Sequence, residues 1–449
     1  LENVLEWMER VNQQNIEARV IDIDSLEQEG RGVGRWQGKT IFVDGALPGE
    51  TVEFSPYRRK PAYEFAKPAK LLRESAQRVQ PRCPHFGMCG GCNLQHFEPR
   101  AQVAAKQRIL EDALWHIGRV RPEHILPAIH GPAWAYRTRA RLTVRNVVKK
   151  GGVLVGFHER SSSYVADMTS CQVLPARISA LLPRLRDLVS GLSVRDRLPQ
   201  IELACGDNLD ALVLRILQAL EPRDEAVLRS FADEHRLALY LQTGGPETAR
   251  LFHPVGAPEL LYRLPEFDLE MAFGPTEFTQ VNPAVNRVLV SRAVRLLAPQ
   301  AGERVADMFC GLGNFSLAIA RSGAHVIGVE GAASLVGRAA SNAERNGLSA
   351  LCRFAQADLF KQAERALRAE GPFDRLLIDP PRDGAMELVK ALHDPLPLRV
   401  VYVSCNPATL ARDAEVLVQL HGYRLVAAGI VNMFPHTAHV ESIAVFERG

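Results

Sequence analysis

Polar and apolar positions change their spacing from one part of the chain to the next. Residues 16 to 72 alternate in short runs, IEARVIDI, GRGVGRWQGKTIFV, GETVEF and YEFAKPAKLL, broken by Gly- and Pro-marked turns. Such alternation predicts a small β-barrel, assigned to residues 12–72. The Gly30-x-Gly32-x-Gly34 run leads into another strand pattern and not into a helix, so a turn or bulge is expected there rather than a phosphate loop. A cysteine-bearing loop, PRCPHFGMCGGCNLQH, then precedes PRAQVAAKQRILEDALWHIG, whose helical period predicts a helix over 99–117 able to pack on the C-terminal domain. Val103, Leu110, Leu114 and Ile117 share its apolar face, and Lys106, Gln107, Arg108 and Glu111 are expected to point elsewhere. Strand-like and helical runs mix through residues 136 to 270, giving an α+β domain over 73–270. From Gln280 onward strands alternate with helices, and MFPHTAHVESIAVFER belongs to a closing antiparallel pair. That order predicts a doubly wound, mainly parallel sheet over 271–449.

Composition narrows the class. In 449 residues, 47% hydrophobic and 23% charged, there is enough apolar material for several cores, which excludes a disordered chain, a collagen and a small disulfide scaffold. No apolar run reaches membrane-span length. The first residues carry acids where a secretory signal would be basic and then apolar, and Leu1 implies a natural start upstream; a cytoplasmic protein without membrane contact is expected. The formal charge of +3 conceals a division. Arg58, Arg59, Lys60, Lys67, Lys70, Arg73, Arg78 and Arg82 face only Glu64 and Glu74 between Pro56 and Arg82, and Arg137, Arg139, Arg141, Arg145, Lys149 and Lys150 have no acid among them between Trp134 and Lys150. With Tyr57, Tyr63, Phe65, Trp134 and Tyr136 interleaved, these runs suit a nucleic-acid partner, although solvated strand faces would read similarly.

Chemistry gathers at the predicted strand ends, where ligands of doubly wound sheets bind. The first strand delivers Asp307-Met308-Phe309-Cys310-Gly311-Leu312-Gly313-Asn314, with two of the three glycines of a dinucleotide fingerprint. Glu330, Asp358 and Asp379 end the next three strands, a series that suits a nucleoside cofactor better than a set of helix caps. Cys405 leaves the fifth strand as a candidate nucleophile, and Glu441 sits among apolar residues where a carboxylate's proton affinity would be raised, as a base requires. Cys83-x5-Cys89-x2-Cys92 clusters three thiols. By spacing alone they fit zinc, with His85 and His96 as substitutes, about as well as an iron–sulfur cluster.

Gln280-Val281-Asn282, DMFCGLGNFSL, Glu330, Asp358, DPPR, VYVSCNPATLARD and MFPHTAHVESIAVFER together resemble the bacterial RNA uracil-5-methyltransferases. The N-terminal segment resembles the TRAM domain, an RNA-binding β-barrel of the TRAM/OB-like type. Cys83, Cys89, Cys92 and Cys171 resemble that family's [4Fe-4S] ligands. The combination is most similar to the branch acting on 23S ribosomal RNA, with other 23S or transfer RNA uridines as alternatives. The resemblance implies a multidomain α/β protein: barrel, central α+β iron–sulfur domain and C-terminal Rossmann-like class I methyltransferase domain. It implies S-adenosylmethionine as cofactor, held by Gln280, Phe309, Asn314, Glu330, Asp358 and Asp379, with Cys405 as nucleophile and Glu441 as base. A monomer is expected. Pro283 departs from the small residue expected after QVN. Two rivals are an amino-methyltransferase, suggested by DPPR, and an RNA-binding iron–sulfur protein with a degenerate methyltransferase core.

Overall fold

The computed structural model describes residues 19–448; residues 12–18 of the expected barrel lie outside the described residues. The N-terminal strands form one six-stranded sheet in the order Val20–Asp22, Thr51–Arg59, Tyr63–Arg73, Lys39–Val43, Gly32–Trp36, Ser25–Leu26. Its apolar faces enclose a small core of Ile21, Ile23, Ile41, Val43, Val52 and Phe54. The turn expected at these glycines falls at Gly30 alone; Gly32 and Gly34 lie in a regularly paired strand rather than in a turn or bulge. A Cβ on Gly34 would meet the Asp22 carbonyl oxygen at 2.4 Å, so only glycine allows the two strands to approach there.

A second six-stranded sheet, ordered Arg250–His253, Leu237–Gln242, Asp210–Arg215, Gln200–Cys205, Arg139–Val147, Gly152–Gly156, forms the centre of the chain. All its pairs are antiparallel except Asp210–Arg215 with Leu237–Gln242, which the helix Pro222–His235 connects. Parallel pairing needs such a crossover.

The C-terminal sheet has eight strands: Cys352–Gln356, His325–Glu330, Arg304–Met308, Arg375–Ile378, Arg399–Ser404, Glu441–Glu447, Arg424–Val431 and His124–Ile125. The first five run parallel and Glu441–Glu447 runs against them. Strand order reverses between Arg304–Met308 and Arg375–Ile378, which opens a crevice at their carboxyl ends. Two of its helices start with the same device. Asn282 caps Pro283–Leu297 and Asn406 caps Pro407–Gln419, each with its side-chain oxygen on a first-turn N–H and a proline immediately after. Pro283 is thus accommodated, because a first-turn N–H would have no intrahelical partner.

One expectation is corrected here. The helix Pro99–His116 packs on Pro407–Gln419 and on Arg424–Val431, and its buried face carries Gln102, Lys106, Leu110, Ala113 and Leu114, with Ile117 at 45% exposure beyond its end. Lys106 does not point away from the core; it is 1% exposed. Apolarity located most of the face, but acceptors supplied by a remote loop allow an ammonium to share it.

Candidate active site

The edge where the parallel strands end gathers the predicted residues. Phe309 follows Arg304–Met308, Glu330 closes His325–Glu330, Asp358 follows Cys352–Gln356, Asp379 follows Arg375–Ile378 and Cys405 follows Arg399–Ser404. The last strand runs antiparallel and pairs Ser442 with Ser404, so its first residue, Glu441, is brought to the same edge beside Cys405. Gln280, Phe309, Asn314, Glu330, Asp358, Asp379, Cys405 and Glu441 all line one cavity of about 590 Å³, of a size that takes a small cofactor.

Backbone geometry shapes one half of that cavity. Phe309 takes φ of +65°, and Gly311 and Gly313 take +56° and +92°, so the chain turns sharply before the short helix Ser316–Ala320. Gly313 is favoured by its φ of +92°, and a Cβ there would also lie 2.6 Å from Leu317 Cδ1. The Glu330 carboxylate accepts from the backbone N–H of Gly311 (3.2 Å) and of Ala332 (3.0 Å) and is held at the cavity wall. Asp358 accepts from the Phe360 N–H, 3.1 Å away, and the Phe309 and Phe360 rings lie 5.6 Å apart on that side. The Asn314 amide oxygen accepts from Asn286 and the Tyr262 hydroxyl, and its NH2 donates one hydrogen to Asn286, which fixes the side chain in the wall.

The other half is electrostatically unusual. Burial raises the Asp379 and Glu441 carboxyls to about 8, and each lies in the field of another acid, Asp307 for the former and Asp379 for the latter. Glu441 Oε2 has no hydrogen-bond partner. Burial, reinforced by Glu441 and Asp379, lifts the Cys405 thiol to about 11, while Arg382 pulls it down. The Arg382 guanidinium donates to His439 Nδ1 at 2.8 Å, and burial holds that ring neutral, down to about 4, so its proton sits on Nε2.

A second, wider cavity of about 830 Å³ adjoins the first. Its walls come from three parts of the chain: Arg31, Asp44 and Tyr57 of the N-terminal sheet, Gly90 to Asn93 and Arg160 of the centre, and Arg382, Cys405, Phe434 and His439 of the C-terminal part. Cys405, Arg382, Phe434 and His439 line both cavities, so the thiol stands at their junction. Sequence reasoning quoted Phe434, His439 and Arg382 within motifs but gave them no role, and it missed the supports behind them. Gln102 Oε1 accepts from the His436 N–H (2.8 Å), the Tyr136 hydroxyl donates to the Pro435 carbonyl (2.9 Å), and Lys106 holds Asn432 and Phe434. These residues share no periodicity with the loop they hold.

Cys83, Cys89, Cys92 and Cys171 meet around a separate cavity of about 20 Å³ next to the groove, and all eight cysteines are free thiols. Among the described residues no three His, Cys, Asp or Glu side chains are placed to hold one metal ion. The basic runs divide. Arg58, Arg59, Lys60, Lys67 and Lys70 are exposed, whereas Arg78 is bound to Glu50, Arg141 to Glu202, and Arg139 to the Pro275 carbonyl. No helix among the described residues is long and apolar enough to cross a membrane.

Comparison with known proteins gives the family. Residues 263–448 match the family model described as tRNA (Uracil-5-)-methyltransferase. The chain is 60% identical over 428 residues to "23S rRNA (uracil(1939)-C(5))-methyltransferase RlmD" of Nitrosospira multiformis, covering 95% of this chain and 98% of the relative. It is 61% identical over 427 residues to the protein of the same name from Aromatoleum aromaticum, covering 95% and 99%. The solved tRNA (uracil-54, C5)-methyltransferase of Pyrococcus abyssi, in complex with S-adenosyl-L-homocysteine, aligns with a TM-score of 0.72 at 25% identity, over 95% of this chain and 99% of that one. The chain belongs to the RNA uracil-5-methyltransferase family.

Proposed function

We propose that this protein methylates carbon 5 of the uracil at position 1939 of 23S ribosomal RNA, the reaction named for its 60%-identical relatives. It acts as a cytoplasmic monomer, and one chain supplies every residue of the site. The observation that carries the reading is the position of Cys405, at the meeting point of an enclosed cavity suited to a nucleoside cofactor and a wider, open groove walled by three parts of the chain and suited to RNA.

When bound, S-adenosylmethionine supplies an electrophilic methyl group. Glu330, preset by two backbone donors, would hold the ribose hydroxyls; Asp358 and the Phe309–Phe360 pair would flank the adenine; Gln280, Asn314 and Asp379 complete the pocket. Cys405, in the ionised form that Arg382 favours against burial, adds to carbon 6 of the uracil, turning carbon 5 into an enolate-like nucleophile for the methyl group. Arg382 and the His439 Nε2–H line the cavity where negative charge develops on the ring oxygen. Glu441 then takes the proton from carbon 5, and the carbon 6–sulfur bond breaks to release Cys405.

The N-terminal sheet supports an RNA grip of the TRAM type. Phe42, Tyr57, Tyr63 and Phe65 cluster on it, Arg31 and Arg58 lie over the Phe65 ring, and Tyr57, 52% exposed, reaches the groove. Cys83, Cys89, Cys92 and Cys171 would hold a [4Fe-4S] cluster. The reading rests on the resemblance and on the four thiols lining one common cavity. Such a cluster would brace the loop that carries Gly90 to Asn93 into the groove wall. The three parts then divide as grip (12–72), brace (73–270) and methyl transfer (271–449).

The test is RNA containing 5-fluorouridine at the target position. A carbon-5 fluorine cannot be removed as a proton, so a denaturation-stable adduct mapping to Cys405 is expected. Loss of 5-methyluridine at that position in cells lacking the protein checks the substrate. An amino-methyltransferase would give neither result.

A further inference from the structure

Lys106 is used by no step above, yet it is among the largest fully buried side chains of the molecule. It rises from the buried face of Pro99–His116, and its ammonium donates to Asn432 Oδ1 at 2.8 Å and to the Phe434 carbonyl at 2.9 Å. Both acceptors are neutral. A buried ammonium satisfied only by neutral groups keeps an uncompensated charge, and packing alone would be met by Met or Leu without that cost. Glu441 lies within the field of that ammonium without forming an ion pair with it. It is also buried, its Oε2 lacks a partner, and it begins the strand at the end of the loop that Lys106 holds. We infer that Lys106 is a positioning residue for the base: it fixes residues 432–440 against the cavity and supplies a buried positive charge to the Glu441 carboxylate.

The surrounding charges agree with this assignment, which rests on Glu441 being the base. From the strand ends, Asp379 favours the protonated form of Glu441 and Arg382 the ionised form; Cys405 lies alongside. From the loop, His436 and His439 are kept neutral, so neither supplies a steady cation. From the helix, Lys106 opposes Asp379. Burial lowers the ammonium to about 7 while Glu441 pulls it back up, so each member of the pair favours the charged form of the other. Without Lys106 the carboxyl, already raised by burial, would hold its proton more tightly still and would need a higher pH before it could accept one from carbon 5.

The experiment compares the wild-type protein with Lys106→Met and with Asn432→Asp, which keeps the lysine bonded but places a competing carboxylate on it. Turnover is measured from pH 6 to 9.5, and the methylated RNA–protein adduct is trapped by denaturation. The expected result for both variants is a rising limb displaced upward by about one pH unit, roughly tenfold slower turnover at pH 7 that recovers above pH 9, and adduct accumulation. KM for S-adenosylmethionine stays within about twofold, since one charged contact in its pocket would be expected to matter far more. A wild-type pH profile in both variants, with only a lower melting temperature, overturns the inference and leaves Lys106 a packing residue. If Lys106→Met does not fold, the Asn432→Asp profile decides alone. Absence of any adduct in the wild-type protein is a different failure: it removes the Cys405–Glu441 chemistry itself, before either variant is compared.

Discussion

The two cavities that meet at Cys405 are built on different principles. The enclosed one lies at the edge of a single sheet, and its charged residues are strand-end side chains placed by backbone pairing. The open one is assembled from three parts of the chain, and its walls depend on side-chain contacts across them. A strand end tolerates little error, because register fixes which residue reaches the edge. A wall made by three packed bodies can instead vary in shape while keeping its charge. Small-molecule recognition and RNA recognition make those different demands, one for fixed donors and the other for a field over a wide surface.

The largest expected effect is at the residue common to both. Cys405→Ala should remove turnover completely while leaving cofactor and RNA affinities within about threefold, read by calorimetry and filter binding. Glu441→Gln should instead accumulate the methylated adduct. Retained turnover in Cys405→Ala would break the comparison, since the junction would then not be where the chemistry occurs.

Next comes a change confined to the enclosed cavity. Glu330→Ala removes a carboxylate held by two backbone donors, and hydrogen bonds to charged groups contribute about 1.5–3 kcal/mol. KM for S-adenosylmethionine should rise about 10- to 100-fold with RNA affinity unchanged. The converse change, Arg58, Arg59 and Lys60 all to Ala, removes three exposed cations near Tyr57. It should weaken RNA binding and lower the log–log salt slope by roughly 2, with cofactor binding unaffected. Cross-effects in either experiment would show that the cavities are coupled.

The smallest effect concerns pH. Glu441 must be ionised to act as base and its carboxyl is raised to about 8, so kcat/KM should climb with pH toward that value. The folded protein holds this proton more tightly than the unfolded chain does, so the associated stability is full below about 4.5 and is lost as pH rises through about 8. Glu441→Gln should therefore melt a few degrees above wild type at pH 8.5 and no higher at pH 4.5, by calorimetry. Equal melting differences at both pH values would place the Glu441 side chain outside a desolvated site.

The contrast between the cavities also governs what was readable from residues alone. Glu330, Asp358, Asp379 and Cys405 were legible because each closes or follows a strand whose apolar run marks its own end. Glu441 was legible as an acid inside an apolar run. Lys106 was placed on the wrong face because hydrophobic periodicity carries no record of its acceptors, which lie 326 and 328 residues away. His124–Ile125, two exposed residues without a strand pattern, becomes the edge strand of the large sheet only by pairing with Ala427 and Ala428. Several of the expected basic residues, among them Arg73, Arg78, Arg139, Arg141 and Lys150, proved to be paired, because charge counts do not distinguish a free cation from a paired one.

By itself, then, the sequence determined the alternation of elements, the strand-end acids, the strand-end Cys405 and the clustered thiols, since these depend on neighbours a few residues apart. Tertiary structure alone decided that Cys405 stands between two cavities, that the loop 432–440 is held by the helix Pro99–His116 and the Tyr136 segment, and that a lysine lies buried against that loop. Those facts depend on packing between segments hundreds of residues apart, where desolvation and the available acceptors, rather than local periodicity, set the charge and position of each group.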